Sequence, residues 1–157
     1  METTLNQTIN LNFQSDSKRS GDEYEAVVEA DLLNRGFEIM AKNFHVEGTG
    51  CEVDFVVGRD GIVLEYVEAK GGQRGLKKRP GAKRTDNVKK AIANAALIKS
   101  EYPNIYYVIY FSSKPKDGSY SDEMINTALK HGIVNEVRYE RDITYLLKQM
   151  VFKDANQ

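Results

Sequence analysis

Residues 51–70 read CEVDFVVGRDGIVLEYVEAK, and this stretch decides the fold class. Two apolar runs, 51–58 and 62–70, flank Arg59-Asp60-Gly61, a pattern that predicts a β-hairpin with a three-residue loop and Gly61 in the left-handed position. Alternation places Cys51, Val53, Phe55 and Val57 on one face of the first strand and Glu52, Asp54 and Val56 on the other. On the second strand Ile62, Leu64, Tyr66, Glu68 and Lys70 share a face. Pairing Gly58 with Ile62 sets Asp54 opposite Tyr66 and Glu52 opposite Glu68. Asp54 and Glu68 then become diagonal neighbours, about 7–8 Å apart.

Charges are unusual in such apolar strands, because burying one without a partner is unfavourable. Two carboxylates this close repel unless a cation lies between them, and Mg²⁺ is typically held by one or two carboxylates. A phosphodiester is the substrate class that best suits such an ion. Glu25, beside the apolar stripe of an upstream helix, is positioned to approach the same sheet edge.

That helix is expected from Ser20 to about Arg35, with Ser20 and Glu23 as a capping box and Gly36 as its stop. Its stripe is Tyr24, Val27, Val28, Leu32 and Leu33. A first strand is expected over 37–42, before the hairpin. Beyond it, residues 71–82 carry Gly71, Gly72, Gly75, Pro80 and Gly81 and read as a flexible loop. A helix over 85–101 buries Val88, Ala91, Ile92, Ala95 and Ile98. The continuous apolar run 105–112 predicts a strand covered on both faces. A helix over 121–131, a short strand at 137–139 and a helix over 142–150 complete the order α-β-β-β-α-β-α-β-α. The expected fold class is α/β, a mixed sheet flanked by helices. Residues 1–19 read as an N-terminal arm, with a weak strand signal at Ile9, Leu11 and Phe13; 20–152 form one domain and 153–157 a tail.

At 157 residues, 41% apolar and 29% charged, the composition is that of an ordinary globular domain. No stretch approaches the roughly 18 apolar residues of a membrane span, and residues 1–20 lack a signal-peptide pattern, so a cytoplasmic location is expected. The single cysteine, Cys51, excludes an internal disulfide and reads as a small core residue. His45 and His131 have no Cys or second His nearby, which argues against a zinc site. Net charge is −1, yet the charge is unevenly distributed. Lys70, Arg74, Lys77, Lys78, Arg79, Lys83, Arg84, Lys89 and Lys90 cluster just after Glu68-Ala69-Lys70, with Asp86 the one acid among them.

Taken together, Glu25, Gly36-Phe37-Glu38-Ile39, Asn43, Glu52-Val53-Asp54 and Val67-Glu68-Ala69-Lys70 resemble the PD-(D/E)XK nuclease superfamily. The resemblance is closest to archaeal Holliday-junction resolvases and the small bacterial endonuclease-like proteins akin to them. It spans residues 21–73, and no Pro precedes Asp54. It implies a restriction-endonuclease-like sheet and a Mg²⁺-dependent deoxyribonuclease, with Mn²⁺ able to substitute. It further implies Asp54, Glu68 and the Ala69 carbonyl as metal ligands. Lys70 would orient or help deprotonate the attacking water and stabilise charge on the phosphate, and Glu25 would bind metal-bound water or a second ion. Glu52 is a secondary candidate. Gln73, Arg74, Lys77, Lys78, Arg79, Lys83, Arg84, Lys89 and Lys90 would grip DNA phosphates. A homodimer or higher oligomer is expected, because so small a domain carries one site and a duplex has two strands.

Glu-x-Lys alone is a weak signal. The bland alternative is a solvated salt-bridge cluster on an exposed edge strand, which the apolar density around Tyr66 and Val67 opposes. Tyr106, Tyr107 and Tyr110 read as core rather than as base-stacking platforms, and His131 as a helix C-terminal cap. Junction resolution, restriction and mobile-element cleavage are not separated by the sequence. A non-catalytic nucleic-acid-binding module and a subunit of a larger complex are the alternatives from other classes.

Overall fold

The computed structural model describes residues 16–71, 82 and 85–139, with side chains from residue 23 onward. The elements, in chain order, are α1 (Asp16–Asn34), β1 (Glu38–Val46), β2 (Cys51–Arg59), β3 (Ile62–Lys70), α2 (Thr85–Glu101), β4 (Tyr107–Phe111), α3 (Tyr120–Lys130) and β5 (Glu136–Tyr139). They form an α/β fold with one open five-stranded mixed sheet in the order β1-β2-β3-β4-β5. β1, β2 and β3 are antiparallel neighbours, whereas β3, β4 and β5 run parallel.

The helices cover both faces of this sheet. From α1, Tyr24, Val28 and Leu32 pack on Phe55, Val57, Val67, Val108 and Tyr110. On the other face, Val88, Ala91, Ala95 and Ile98 of α2 and Ile125 and Ala128 of α3 meet Val56, Tyr107, Ile109 and Phe111. Each Val, Leu or Ile among them stabilises the fold by roughly 1.5–3 kcal/mol when fully withdrawn from water. β4 is the centre of both layers, and all five of its residues are buried.

Several boundaries differ from the sequence expectation. α1 begins at Asp16, so residues 16–19 belong to the helix rather than to an arm and Ser20 is not its cap. The residues 16–19 contain no glycine or proline to break a helix. β1 continues to Val46, held by pairing of Phe44 with Val53 and of Val46 with Cys51. β4 starts only at Tyr107, which leaves Tyr106 exposed instead of in the core. α3 opens on Ser119, whose side chain accepts the Asp122 N–H, and closes on His131. The segment 1–15, the expected helix over 142–150 and the tail 153–157 lie outside the described residues.

The hairpin differs most. Arg59 pairs with Ile62, so the loop has two residues, not three. Asp60 and Gly61 both adopt positive φ, 52° and 77°, as a tight turn matched to strand twist requires. Val57 faces Glu65 while Gly58 faces Val63, which leaves Leu64 as an extra, bulged residue. The bulge interrupts the alternation between Ile62 and Tyr66. Beyond it Val56 faces Tyr66 and Phe55 faces Val67. One further step puts Asp54 across from Glu68, directly opposite rather than diagonal.

Candidate functional site

Glu68 lies on the α2 face of the sheet, 3% exposed, and its two oxygens are differently occupied. Oε1 accepts from Asn94 Nδ2 of α2 at 3.1 Å and lies 3.2 Å from Lys70 Nζ. Oε2 accepts from the Tyr107 hydroxyl of β4 at 2.7 Å. Tyr107 is thus core, as expected, but with its hydroxyl committed to the site. Lys70, two residues along β3, keeps 27% of its side chain exposed, so its ammonium stands between Glu68 and solvent.

Asp54 lies where the β2–β3 ladder stops. Its Oδ2 accepts the Ala69 backbone N–H at 2.7 Å, and its carboxyl also hydrogen-bonds Glu25 of α1. Ala69 therefore also enters the site through its N–H, beside the carbonyl to which the resemblance assigned a role. Glu25, Asp54, Glu68 and Lys70 are brought together from α1, β2 and β3. Glu52 is exposed on β2, yet close enough to act on Asp54 through its charge.

The expected face assignment of β2 fails around Asp54. Cys51 and Val53 pack with the α2 and α3 layer, as does Val56, while Phe55 and Val57 pack under α1. The alternation therefore slips between Val53 and Phe55, at the position of Asp54. This slip lets the carboxylate lie between the two strands instead of projecting from either face.

Both acids are displaced from the usual carboxylate range. Burial pushes the Asp54 carboxyl up, opposed by the Ala69 N–H, the Lys70 ammonium and the Glu25 hydrogen bond, while Glu52 adds to the rise. Burial likewise pushes Glu68 up, opposed by Lys70 and the Tyr107 hydroxyl, and the charge of Asp54 raises it further. Asp54 and Glu68 thus repel one another while Asp54 is hydrogen-bonded to Glu25, so the corner gathers three acids beside one ammonium. Among the described residues no group of three or more His, Cys, Asp or Glu side chains is placed to hold a metal ion.

Gly71 controls how closely α1 approaches this corner. A Cβ there would lie 2.5 Å from Tyr24 Cβ and 2.6 Å from Tyr24 Cγ, so only glycine allows the contact. Tyr24 immediately precedes Glu25, and Gly71 immediately follows Lys70.

Comparison with protein-family models, characterised proteins and solved structures found no match to this chain.

Of the expected phosphate-binding residues, Lys89 and Lys90 are exposed on the first turns of α2. Gln73, Arg74, Lys77, Lys78, Arg79, Lys83 and Arg84 lie outside the described residues. No described helix is long and apolar enough to cross a membrane. Cys51 is buried, as expected.

Sequence reasoning missed Asn94 and a second buried polar cluster. Asn94 sits beside the stripe Ala91, Ala95 and Ile98, and a polar residue next to a buried stripe was the available signal. In the second cluster Arg138 of β5 forks onto Glu65 at 2.9 and 3.1 Å and donates to the Tyr110 hydroxyl at 2.8 Å. Tyr110 in turn donates to Asp31 of α1. Glu65 lies between Val63 and Val67 on an apolar strand, which marks it in the same way as Glu68.

Proposed function

We propose that this chain is a metal-dependent endonuclease that hydrolyses DNA phosphodiester bonds, on a restriction-endonuclease-like version of the mixed sheet. The observation that supports it best is the convergence of Asp54 and Glu68, both held above their ordinary carboxylate range, beside the partly exposed side chain of Lys70. A structural ion pair has no use for a second, half-buried acid that repels the first. A site that binds a divalent cation has.

In this reading Asp54, Glu68 and the Ala69 carbonyl would hold Mg²⁺ or Mn²⁺. A bound ion would supply Lewis acidity toward the phosphoryl oxygen and the attacking water. Lys70 Nζ, 3.2 Å from Glu68, orients the attacking water and offsets charge gathering on the phosphate. Glu25 receives or returns a proton through its bond to Asp54. Asn94 and Tyr107 fix the Glu68 carboxylate so that it need not reorganise during the reaction. The basic segment from Gln73 to Lys90 supplies sequence-independent grip on the backbone, and a dimer provides one site for each strand of a duplex.

One observation favours a second reading, a non-catalytic nucleic-acid-binding module. Glu68 is already satisfied by Lys70, Asn94 and Tyr107, which is a self-contained arrangement. Nicking of supercoiled plasmid with Mg²⁺, with EDTA and with Lys70→Ala separates the two. The nuclease reading expects Mg²⁺-dependent cleavage, lost in EDTA and reduced by about 10²–10³-fold in the variant. Binding without cleavage on supercoiled, linear, single-stranded and four-way-junction DNA supports the module instead.

A further inference from the structure

Asn43 is exposed in the middle of edge strand β1, and its φ is +48°, a conformation an extended strand does not use. The pairs on either side of it are regular, Lys42 with Phe55 and Phe44 with Val53. Asn43 therefore stands directly across from Asp54. The side-chain alternation of β1 slips at this point as well. Ala41 packs toward the α2 layer, and Lys42 turns to Glu29 of α1 at 2.6 Å. Phe44 then meets Tyr66 edge-on, and Val46 joins the α2 layer again. Two facing residues on neighbouring strands thus break the pleat together while the register is preserved.

We infer that Asn43 is a positioning residue for Asp54: its left-handed backbone turns β1 in step with β2 and so frees the Asp54 carboxylate to lie between β2 and β3. If β1 kept a regular pleat here, β2 could not slip without losing its pairing to β1. Asparagine is the non-glycine residue that enters this region most readily, because its short amide can bond locally. Alanine resists it, and valine does so more strongly because its branched Cβ favours extended backbone. The inference concerns backbone placement of Asp54; its consequence for cleavage rests on the nuclease reading above.

The direct reporter is the Ala69 amide, which donates to Asp54 Oδ2 at 2.7 Å. In ¹H–¹⁵N spectra with hydrogen exchange, Asp54→Ala sets the signature of the lost bond: an upfield shift and faster exchange at Ala69. Asn43→Ala and Asn43→Val are expected to reproduce that signature, whereas Asn43→Gly keeps the wild-type one. In the plasmid assay Asn43→Ala is expected to lose on the order of 10²-fold, the scale of a small misplacement of a reacting group. Asn43→Gly is expected to rescue it. An unmoved Ala69 amide in both Asn43→Ala and Asn43→Val overturns the inference. So does global unfolding of these variants, because the strain would then serve the fold at large. If the wild type shows no cleavage while Ala69 responds as described, the nuclease reading fails and the positioning role stands.

Discussion

Asp54 takes the backbone N–H of Ala69 at 2.7 Å, one residue beyond the last regular β2–β3 rung, Phe55 with Val67. A side-chain oxygen thereby does the work of a ladder carbonyl and fixes a carboxylate between two strands. The Ala69 N–H, the Lys70 ammonium and the Glu25 hydrogen bond each offset part of the cost of burying that charge.

Asp54→Asn keeps an acceptor for Ala69 N–H and gains a donor toward Glu25, while it removes the buried charge. Because the folded pKa of Asp54 is raised, its contribution to stability is complete below about 3.9, the unfolded value, and is lost as pH rises through the folded value. The variant should therefore melt higher than the wild type near pH 7 without added metal, and the difference should vanish in acid. Added Mg²⁺ should raise the wild-type melting temperature and leave the variant unmoved. Thermal scans from pH 3 to 8 check both, with cleavage by the variant expected at background. A variant less stable than wild type at pH 7 would contradict the buried-charge account.

Tyr107→Phe removes the hydroxyl that donates to Glu68 Oε2 at 2.7 Å. A hydrogen bond to a charged group contributes about 1.5–3 kcal/mol, and that loss is expected in urea unfolding at neutral pH. Without this donor the Glu68 carboxyl rises further, so the penalty should shrink as the acid becomes protonated at low pH. A pH-independent loss would point to packing instead.

Gly71→Ala places a methyl 2.5 Å from Tyr24 Cβ, and α1 must move away from the end of β3. Overpacking of this kind costs about 1–3 kcal/mol. Since Tyr24 and Gly71 adjoin Glu25 and Lys70, cleavage should fall along with stability. The test is a double-mutant cycle with Tyr24→Gly, which removes the Cβ and Cγ that the new methyl would meet. The second substitution should recover part of the loss, and strict additivity would show that the contact does not couple α1 to β3.

Much of this was legible in the chain, because helix stripes, Gly-rich breaks and charges in apolar strands are local signals. The Val88–Ala91–Ala95–Ile98 stripe placed α2 correctly, and the charges on 51–70 placed Asp54 and Glu68 on adjacent strands. Register was not legible, since a two-residue turn with a bulge at Leu64 and a three-residue turn without one suit the same residues. The paired slip at Asn43 and Asp54 was also hidden, because alternation read from one strand assumes an unbroken pleat. The partners of Glu68 escaped for another reason. Asn94 and Tyr107 are remote in sequence, and only the packing of α2 and β4 on β3 brings them to one carboxylate.

The remaining buried cluster should behave as structure rather than chemistry. Arg138 holds Glu65 through both terminal nitrogens, and both side chains are less than a tenth exposed. Arg138→Ala leaves Glu65 buried without its partner, a loss of about 3–5 kcal/mol by urea unfolding. Replacing both charges, Glu65→Leu with Arg138→Met, should recover most of that, because the desolvation of two ions is removed together. Wild-type and doubly substituted protein should cleave plasmid at rates within a few-fold, as neither residue touches Asp54, Glu68 or Lys70. A double variant that folds as stably as wild type but no longer cleaves would move this cluster from scaffold to site.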